Sequence, residues 1–529
     1  MPMSRSLAKT LTLACLATGA LLALAPGAPA APYMVSIMQD DNQLVYATGE
    51  ERGRALNRMA ALGVEAVRAT VHWSAMAPKP NARRKPRGFD GADPRDYPDF
   101  LWDRFDNLTE QAARLGIAVY LNPTGGGPRW AHRKTRDRAY QRSYRPNVKE
   151  FAKFMVAVGR RYSGTYRDEN NGREVLPSVR WWSLWNEPNQ PGWLTPQGER
   201  KRGAGMVPMA PHLYRDLVVA GARSLLRTGH ADDLVLFGEL APVGNEKPDG
   251  LRPSLRPGLF LREMYCLDRR FRPFEGEEAL ARGCEDVERL AILERFPRLG
   301  FAHHPYTKLK PPGRRERGRD ALTMANLDAL PRLLDRIAAR TDLLPPEIPI
   351  YFTEYGYETK PPDPFSGVSL NQQAAYINAA DYMAWKHPRV FANAQFQLFD
   401  VPPRTEFPRD STQYWFTYQS GLFSSLPNPQ PKPAMNAYRF PLVVRRTGST
   451  ARIWGQVRFA VNGTTYPLLL QQRNPGTSSW VRSGAALEVT HSQGYFQALR
   501  RIQPGTAFRA IWSEPDFSRF VISRVVVAR

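Results

Sequence analysis

From residue 33 to about residue 400, short apolar runs alternate with longer amphipathic stretches. Runs of that length read as strands, and the stretches between them as helices packed on a parallel sheet. The apolar runs predict strands over Tyr33–Met38, Glu65–His72, Ile117–Asn122, Val179–Trp185, Leu234–Gly238, Gly300–His304, Ile350–Glu354 and Ala394–Phe399. The intervening stretches predict helices over Pro98–Leu115, Val148–Tyr162, His212–Thr228, Ala321–Ala339 and Asn371–Trp385. Eight strand candidates, each followed by helix or loop, suit a closed α/β barrel of the (β/α)8 TIM type better than an open doubly wound sheet. No Gly-x-Gly-x-x-Gly follows the first strand, which argues against a dinucleotide-binding fold.

Two segments break the alternation. Ala241–Arg298 is too long for one loop and helix, so an insertion on the side of the strands' C-terminal ends is expected at about residues 241–298. Near residue 424 the texture changes to a Pro-rich bend, Leu426–Pro433. Beyond Pro441 come short alternating runs separated by turn residues such as Asn462-Gly463. That is an all-β pattern, so a barrel over residues 32–440 and a small C-terminal β-sandwich domain over 441–529 are expected. Trp454, Trp480 and Trp512 fall at strand-like positions and are expected in the sandwich core.

The N-terminus has the layout of an export signal. Arg5 and Lys9 precede an apolar stretch, Leu11–Leu24, and Ala28-Pro29-Ala30 offers small residues for cleavage. Residues 1–31 are therefore read as a signal peptide. No later stretch approaches 18 uninterrupted apolar residues, so a secreted protein without an integral membrane segment is expected, as a monomer. Two cysteines remain, Cys266 and Cys284. An exported chain permits a disulfide between them; two unrelated buried thiols are the alternative. No histidine stands at zinc-ligand spacing, so no metal and no cofactor is expected.

A net charge of +23 raises the question of nucleic acid. The arginines are spread along the whole chain, and no recognition helix, zinc finger or RNA-binding signature accompanies them, so no nucleic-acid partner is expected. Attraction to acidic glycans or to an anionic cell wall is compatible with the same charge.

Barrel enzymes carry their chemistry at the C-terminal ends of strands. Two predicted strands end in a glutamate there: the fourth runs into Trp185-Asn186-Glu187-Pro188, and the seventh into Phe352-Thr353-Glu354-Tyr355-Gly356. A charge at the end of an apolar run is costly unless it opens into a polar cleft. Strands four and seven face each other across an eight-stranded barrel, so the two carboxyls could straddle one bound molecule. Glycosidic bond cleavage needs such a pair, one to protonate the leaving oxygen and one on the opposite side of the anomeric carbon.

The Asn186-Glu187-Pro188 segment resembles the strand-four motif of the clan A glycoside hydrolases, and Thr353-Glu354-Tyr355 resembles their strand-seven nucleophile motif. Gln419-Ser420-Gly421-Leu422, followed by Lys432-Pro433-Ala434, is similar to the barrel ending of bacterial family 5-like and family 39-like members. The resemblance covers roughly residues 33–440. It implies that Glu187 is the acid/base, Glu354 the nucleophile, and Asn186 the binder of a sugar 2-hydroxyl. Arg68 would support the nucleophile, Tyr306 would hydrogen-bond to it, and His304 would lie beside them. The implied activity is a retaining hydrolysis of an oligosaccharide or polysaccharide. A transglycosylase with the same carboxylates, or a non-catalytic carbohydrate-binding surface protein, are the alternatives.

One departure matters. Clan members commonly end strand eight in a Trp, and Ala394–Asp400 has none. Trp73, Trp130, Trp193 and Trp415 are candidates to stack on sugar instead, or to be packing. Glu239, after strand five, reads as a solvated loop acid or as a hydrogen-bonding support, and His72 as a strand-end histidine or a sugar contact.

Overall fold

The computed structural model describes residues 33–170, 172, 174–459, 466–513 and 520–528. The predicted signal peptide lies outside the described residues. Eight parallel strands close into a barrel. They are β1 (Val35–Gln39), β2 (Ala66–His72), β3 (Ala118–Thr124), β4 (Trp181–Ser183), β5 (Leu234–Leu240), β6 (Leu299–His303), β7 (Ile350–Phe352) and β8 (Val390–Phe396). Each pairs with its neighbours in sequence order, and β8 closes on β1 with Val35 opposite Ala392.

The crossovers are helical: α1 (Gly49–Ala61), α2 (Asp99–Arg114), α3 (Val148–Arg161), α4 (Ala210–Arg227), α5 (Pro257–Met264), α6 (Ala329–Thr341), α7 (Leu370–Trp385) and α8 (Pro433–Arg439). Their starts are written locally. Thr48 with Glu51 caps α1, and Ser369 with Gln372 caps α7, each as a reciprocal capping box. Asn147 accepts the first free amides of α3, whose Phe151, Phe154, Met155 and Val158 then fall on one buried stripe. In β2 the odd residues Val67, Ala69 and Val71 join that helix-side core, while Ala66, Arg68 and Thr70 take the alternate positions.

Several strands depart from their expected spans by a few residues, and three of these departures bear on the site. β4 stops at Ser183 because Trp185 takes a left-handed φ of 78°. β7 stops at Phe352, so Thr353 and Glu354 project beyond the sheet. β8 begins at Val390, earlier than expected, and ends where Gln397 turns to a φ of 79°. Residues 241–298 hold α5, a helix over Gly276–Arg282 and a 3-10 segment over Cys284–Arg295. Phe260, Leu261, Leu290 and Leu293 from this stretch are fully buried in the main core. Cys266 and Cys284 are joined as a disulfide.

The C-terminal region forms two antiparallel sheets, one of three strands beginning at Leu442 and one of six strands centred on Tyr466–Arg473 and Ala507–Ser513. Phe440, Ile453, Leu468, Phe508 and Trp512 fill the space between them. Trp454 is also buried, but against Tyr382 and Trp385 of α7. Trp480 is the exception to the expectation: it is half-buried and packs between arginine side chains. Arg458 pairs with Asp381 of α7 at 2.9 Å, and Gln493 accepts from the amide of Met34, which ties the region to the barrel.

Candidate functional site

The strand ends of the barrel converge on Arg68. Its Nη1 donates to Glu354 Oε1 at 2.7 Å and also to Gln39. Its Nη2 donates to Asn186 Oδ1 at 2.6 Å, to Glu239 Oε2 at 3.1 Å and to Asn122 Oδ1 at 3.2 Å. Five strands thus meet on one fully buried guanidinium. Burial disfavours its charge, but Glu239 and Glu354 outweigh that cost and raise its pKa.

Glu239 is the second hub. Along β5, Val235 and Phe237 face the helices, and strict alternation would send Glu239 the same way. A bulge between Gly238 and Leu240 shifts the register against β6, and Glu239 takes a φ of 48°. Leu240 then occupies the helix-side core and Glu239 turns inward. There its carboxylate accepts from Ser183 Oγ at 2.6 Å, Thr353 Oγ1 at 2.8 Å, Arg68 and the Tyr120 hydroxyl. His304 Nε2 lies 2.6 Å away. Burial alone would raise Glu239, but Arg68 and then His304 and Ser183 hold the carboxyl well below the usual carboxylate range. It has no exposed surface, so it is no solvated loop acid.

His304 carries the network to the cleft. Its Nδ1 lies 2.9 Å from Glu187 Oε1 and 3.6 Å from Glu354 Oε2. Burial works against its charge, yet Glu354, Glu187 and Glu239 together raise its pKa to about 10, so the ring is an imidazolium near neutrality. The adjacent His303 points into the helix-side core, with Nε2 against the Leu322 carbonyl, and burial lowers it to about 4.

Glu187 and Glu354 are the two carboxylates that reach solvent, with side chains 20% and 11% exposed. An oxygen of each and a ring nitrogen of His304 lie within 4.8 Å of one another. Burial raises the Glu354 carboxyl, and Glu187 and Glu239 push the same way against His304 and Arg68. Tyr306 donates to Glu354 Oε2 at 3.2 Å. Three carboxylates, Glu187, Glu239 and Glu354, thus stand against two cations, Arg68 and His304. Glu187, His304 and Glu354 are also the one His/carboxylate group among the described residues spaced to hold a metal ion. Both nitrogens of His304 already face carboxylates, which suits a proton donor rather than a neutral metal ligand.

Glu187 sits on a strained turn, with φ values of 78° at Trp185 and 35° at Glu187. Such strain is held only where surroundings over-determine it. Asn122 donates to the Trp185 carbonyl at 2.7 Å, the Glu187 amide donates to the Glu239 carbonyl at 3.0 Å, and the Trp185 ring packs edge-on to Phe151. The Trp185 ring also lies directly against Gly125, where no side chain would fit.

All six expected residues, Arg68, Asn186, Glu187, His304, Tyr306 and Glu354, are therefore brought together. Of the tryptophans, Trp73 is core, packed on Phe154 and Trp130. Trp193 stacks on His72 with ring centroids 5.6 Å apart. Where strand eight lacks a Trp, Phe396 stands edge-on to Tyr306 and Tyr418. Glu239 takes the second of its two readings, a hydrogen-bonding support, and Tyr120, Ser183 and Thr353 complete the network with no signal of their own in the sequence.

No family model matches the sequence, and no curated protein matches it. Solved structures do. A family 39 glycoside hydrolase from the gut symbiont Bacteroides cellulosilyticus superposes with a TM-score of 0.48 at 12% identity, covering 89% of this chain and 81% of that one. A family 1 β-glucosidase from Thermotoga maritima gives 0.43 at 15% identity, covering 73% and 84%. An endo-β-1,4-mannanase from Thermotoga petrophila gives 0.39 at 13% identity, covering 95% and 98%. The barrel itself rests on the strand pairing described above.

Proposed function

We propose that the protein is a retaining glycoside hydrolase that cleaves O-glycosidic bonds by double displacement. The observation that carries the reading is the pair Glu187 and Glu354, two part-exposed carboxylates with oxygens within 4.8 Å at the C-terminal end of the barrel. Retaining enzymes need their carboxyls about 5–5.5 Å apart, whereas inverting ones need roughly 6.5–9.5 Å to admit a water.

In the first step a Glu354 oxygen bonds to the anomeric carbon as the glycosidic C–O bond breaks, and Glu187 gives its proton to the leaving oxygen. In the second, Glu187 takes a proton from water, whose oxygen bonds to the anomeric carbon and releases Glu354. Arg68 and Tyr306 hold Glu354 and favour its ionised form, while His304 sets the position of Glu187. Asn186 uses its Oδ1 on Arg68, which leaves its amide NH2 for a sugar hydroxyl. The layout of residues 1–31 supports secretion.

The test is a panel of aryl glycosides and plant and microbial polysaccharides, with Glu187→Ala and Glu354→Ala beside the wild type. Hydrolysis lost in both variants, with the anomeric configuration retained by NMR, is expected. Activity surviving Glu354→Ala would refute the assignment, and oligomer formation with an added sugar acceptor would point to transglycosylation.

A further inference from the structure

Residues 441–529 contain twelve arginines, no lysine and three carboxylates. Three of the arginines serve the junction with the barrel: Arg458 pairs with Asp381, Arg524 donates to Asn378, and Arg445 lies over the Tyr382 ring. Three others gather on the outer face of the six-stranded sheet. Strand register sets Arg482 opposite Gln471 and Gln471 opposite Arg509, so these side chains form one row on one face. Arg473, two residues along the strand from Gln471, shares it. The alternate residues Leu468, Leu470, Phe508 and Ala510 face the buried core.

Trp480 lies within this row, half-buried, with the guanidinium of Arg509 4.4 Å and that of Arg473 5.2 Å from its ring. Arg509 donates to Gln471 Oε1 and Arg482 to the Gly484 carbonyl. Among the described residues none of the three arginines has a carboxylate partner. Like charges gathered on one sheet face oppose one another, and an anionic partner would relieve them.

We infer that this face binds a carboxylate-bearing polysaccharide. The flat ring of Trp480 offers an apolar platform for the C–H face of a sugar, and planar guanidinium groups donate to carboxylates in two-point contacts. A nucleic acid would call for several stacking rings along a groove, and this row has one. The inference goes beyond hydrolysis and uses none of the residues of the barrel cleft.

The experiment is calorimetric titration of the full-length protein with polygalacturonate, with dextran sulfate, neutral dextran and single-stranded DNA in parallel. Polygalacturonate is expected to bind most tightly and neutral dextran not at all. Trp480→Ala and the double variant Arg473→Gln/Arg509→Gln should each weaken binding roughly three- to ten-fold. Trp480→Phe should restore most of it, with melting temperature and aryl-glycoside hydrolysis unchanged in every variant. Unaltered affinity in both variants would overturn the inference. So would equal binding of DNA or dextran sulfate that falls with a substitution of exposed Arg452 on the three-stranded sheet, Arg452→Gln, rather than with Trp480→Ala.

Discussion

Glu239 and His304 form a buried ion pair, Oε2 to Nε2 at 2.6 Å, in which neither side chain is exposed. Neither can reach a substrate through the other, so Glu239 acts as a positioning residue: it fixes the imidazolium whose other nitrogen faces Glu187. It fixes Arg68 in the same way, and Arg68 in turn holds Glu354. One buried carboxylate thus orients both cleft carboxylates from behind.

Glu239→Gln tests that arrangement. Every listener of this carboxylate is a donor, so an amide would set its NH2 against another donor while removing the charge that offsets Arg68 and His304. Breaking a buried ion pair from one side costs about 3–5 kcal/mol. A lower denaturation midpoint is expected, together with a kcat loss of roughly 100-fold from displaced carboxylates and a smaller change in KM. An unaltered kcat on the best substrate would show that the cleft pair needs no such support.

The pH dependence of stability follows from His304. Its pKa rises from 6.5 to about 10 on folding, so the folded protein binds the proton more tightly than the unfolded chain. That contribution is complete below the unfolded value and is lost as pH rises toward about 10. Urea midpoints between pH 7 and 10.5 should therefore fall, and His304→Gln should flatten the fall. On the acid side, the raised pKa of Glu354 places the lower limb of the kcat/KM profile above the ordinary glutamate value of 4.5. Tyr306→Phe, which removes a donor to the ionised form, should move that limb higher.

Much of this was legible in the chain because strand alternation and strand-end placement are local properties. Arg68 and His304 lie where period two sends them, and Glu187 and Glu354 lie where apolar runs stop. Glu239 was not legible as a hub, because a bulge reverses its side and a bulge depends on how β5 meets β6. The β8 span was missed for a related reason: it begins directly after His387-Pro388-Arg389, and its small inward residues Ala392 and Ala394 suit a crowded barrel interior. Trp480 read as core because its neighbours alternate, yet it stands just before a two-residue strand, where alternation has no purchase.

Gly125 gives a prediction about the turn that carries Glu187. A Cβ there would sit 2.3 Å from the Trp185 ring, far inside contact distance. Trp185 has φ 78° and is two residues from Glu187, so any retreat of the ring moves Glu187. Gly125→Ala should cost about 1–3 kcal/mol as an overpacking substitution and reduce kcat more than it raises KM. Adding Trp185→Phe, which frees space at the ring, should recover part of the stability. A double variant no better than the single one would place the strain elsewhere.

The disulfide makes the last prediction, because it separates stability from chemistry. Cys266 follows α5 and Cys284 opens the 3-10 segment, 18 residues apart, and Arg215 of α4 reaches Cys266 Sγ at 3.2 Å. The bridge therefore clamps the fifth crossover against α4, among residues that share no hydrogen bond with the cleft carboxylates. Closing a loop of this size stabilises by about 3 kcal/mol through the unfolded chain. Cys266→Ala/Cys284→Ala, or reduction of the native bridge, should lower the urea midpoint by a corresponding amount. Because Glu187 and Glu354 are held by Arg68, His304 and Glu239 instead, kcat and KM at 25 °C should stay within a factor of about two, which steady-state kinetics in reductant would check. A parallel loss of kcat would mean that the fifth crossover transmits its position through β5 to the bulge at Glu239.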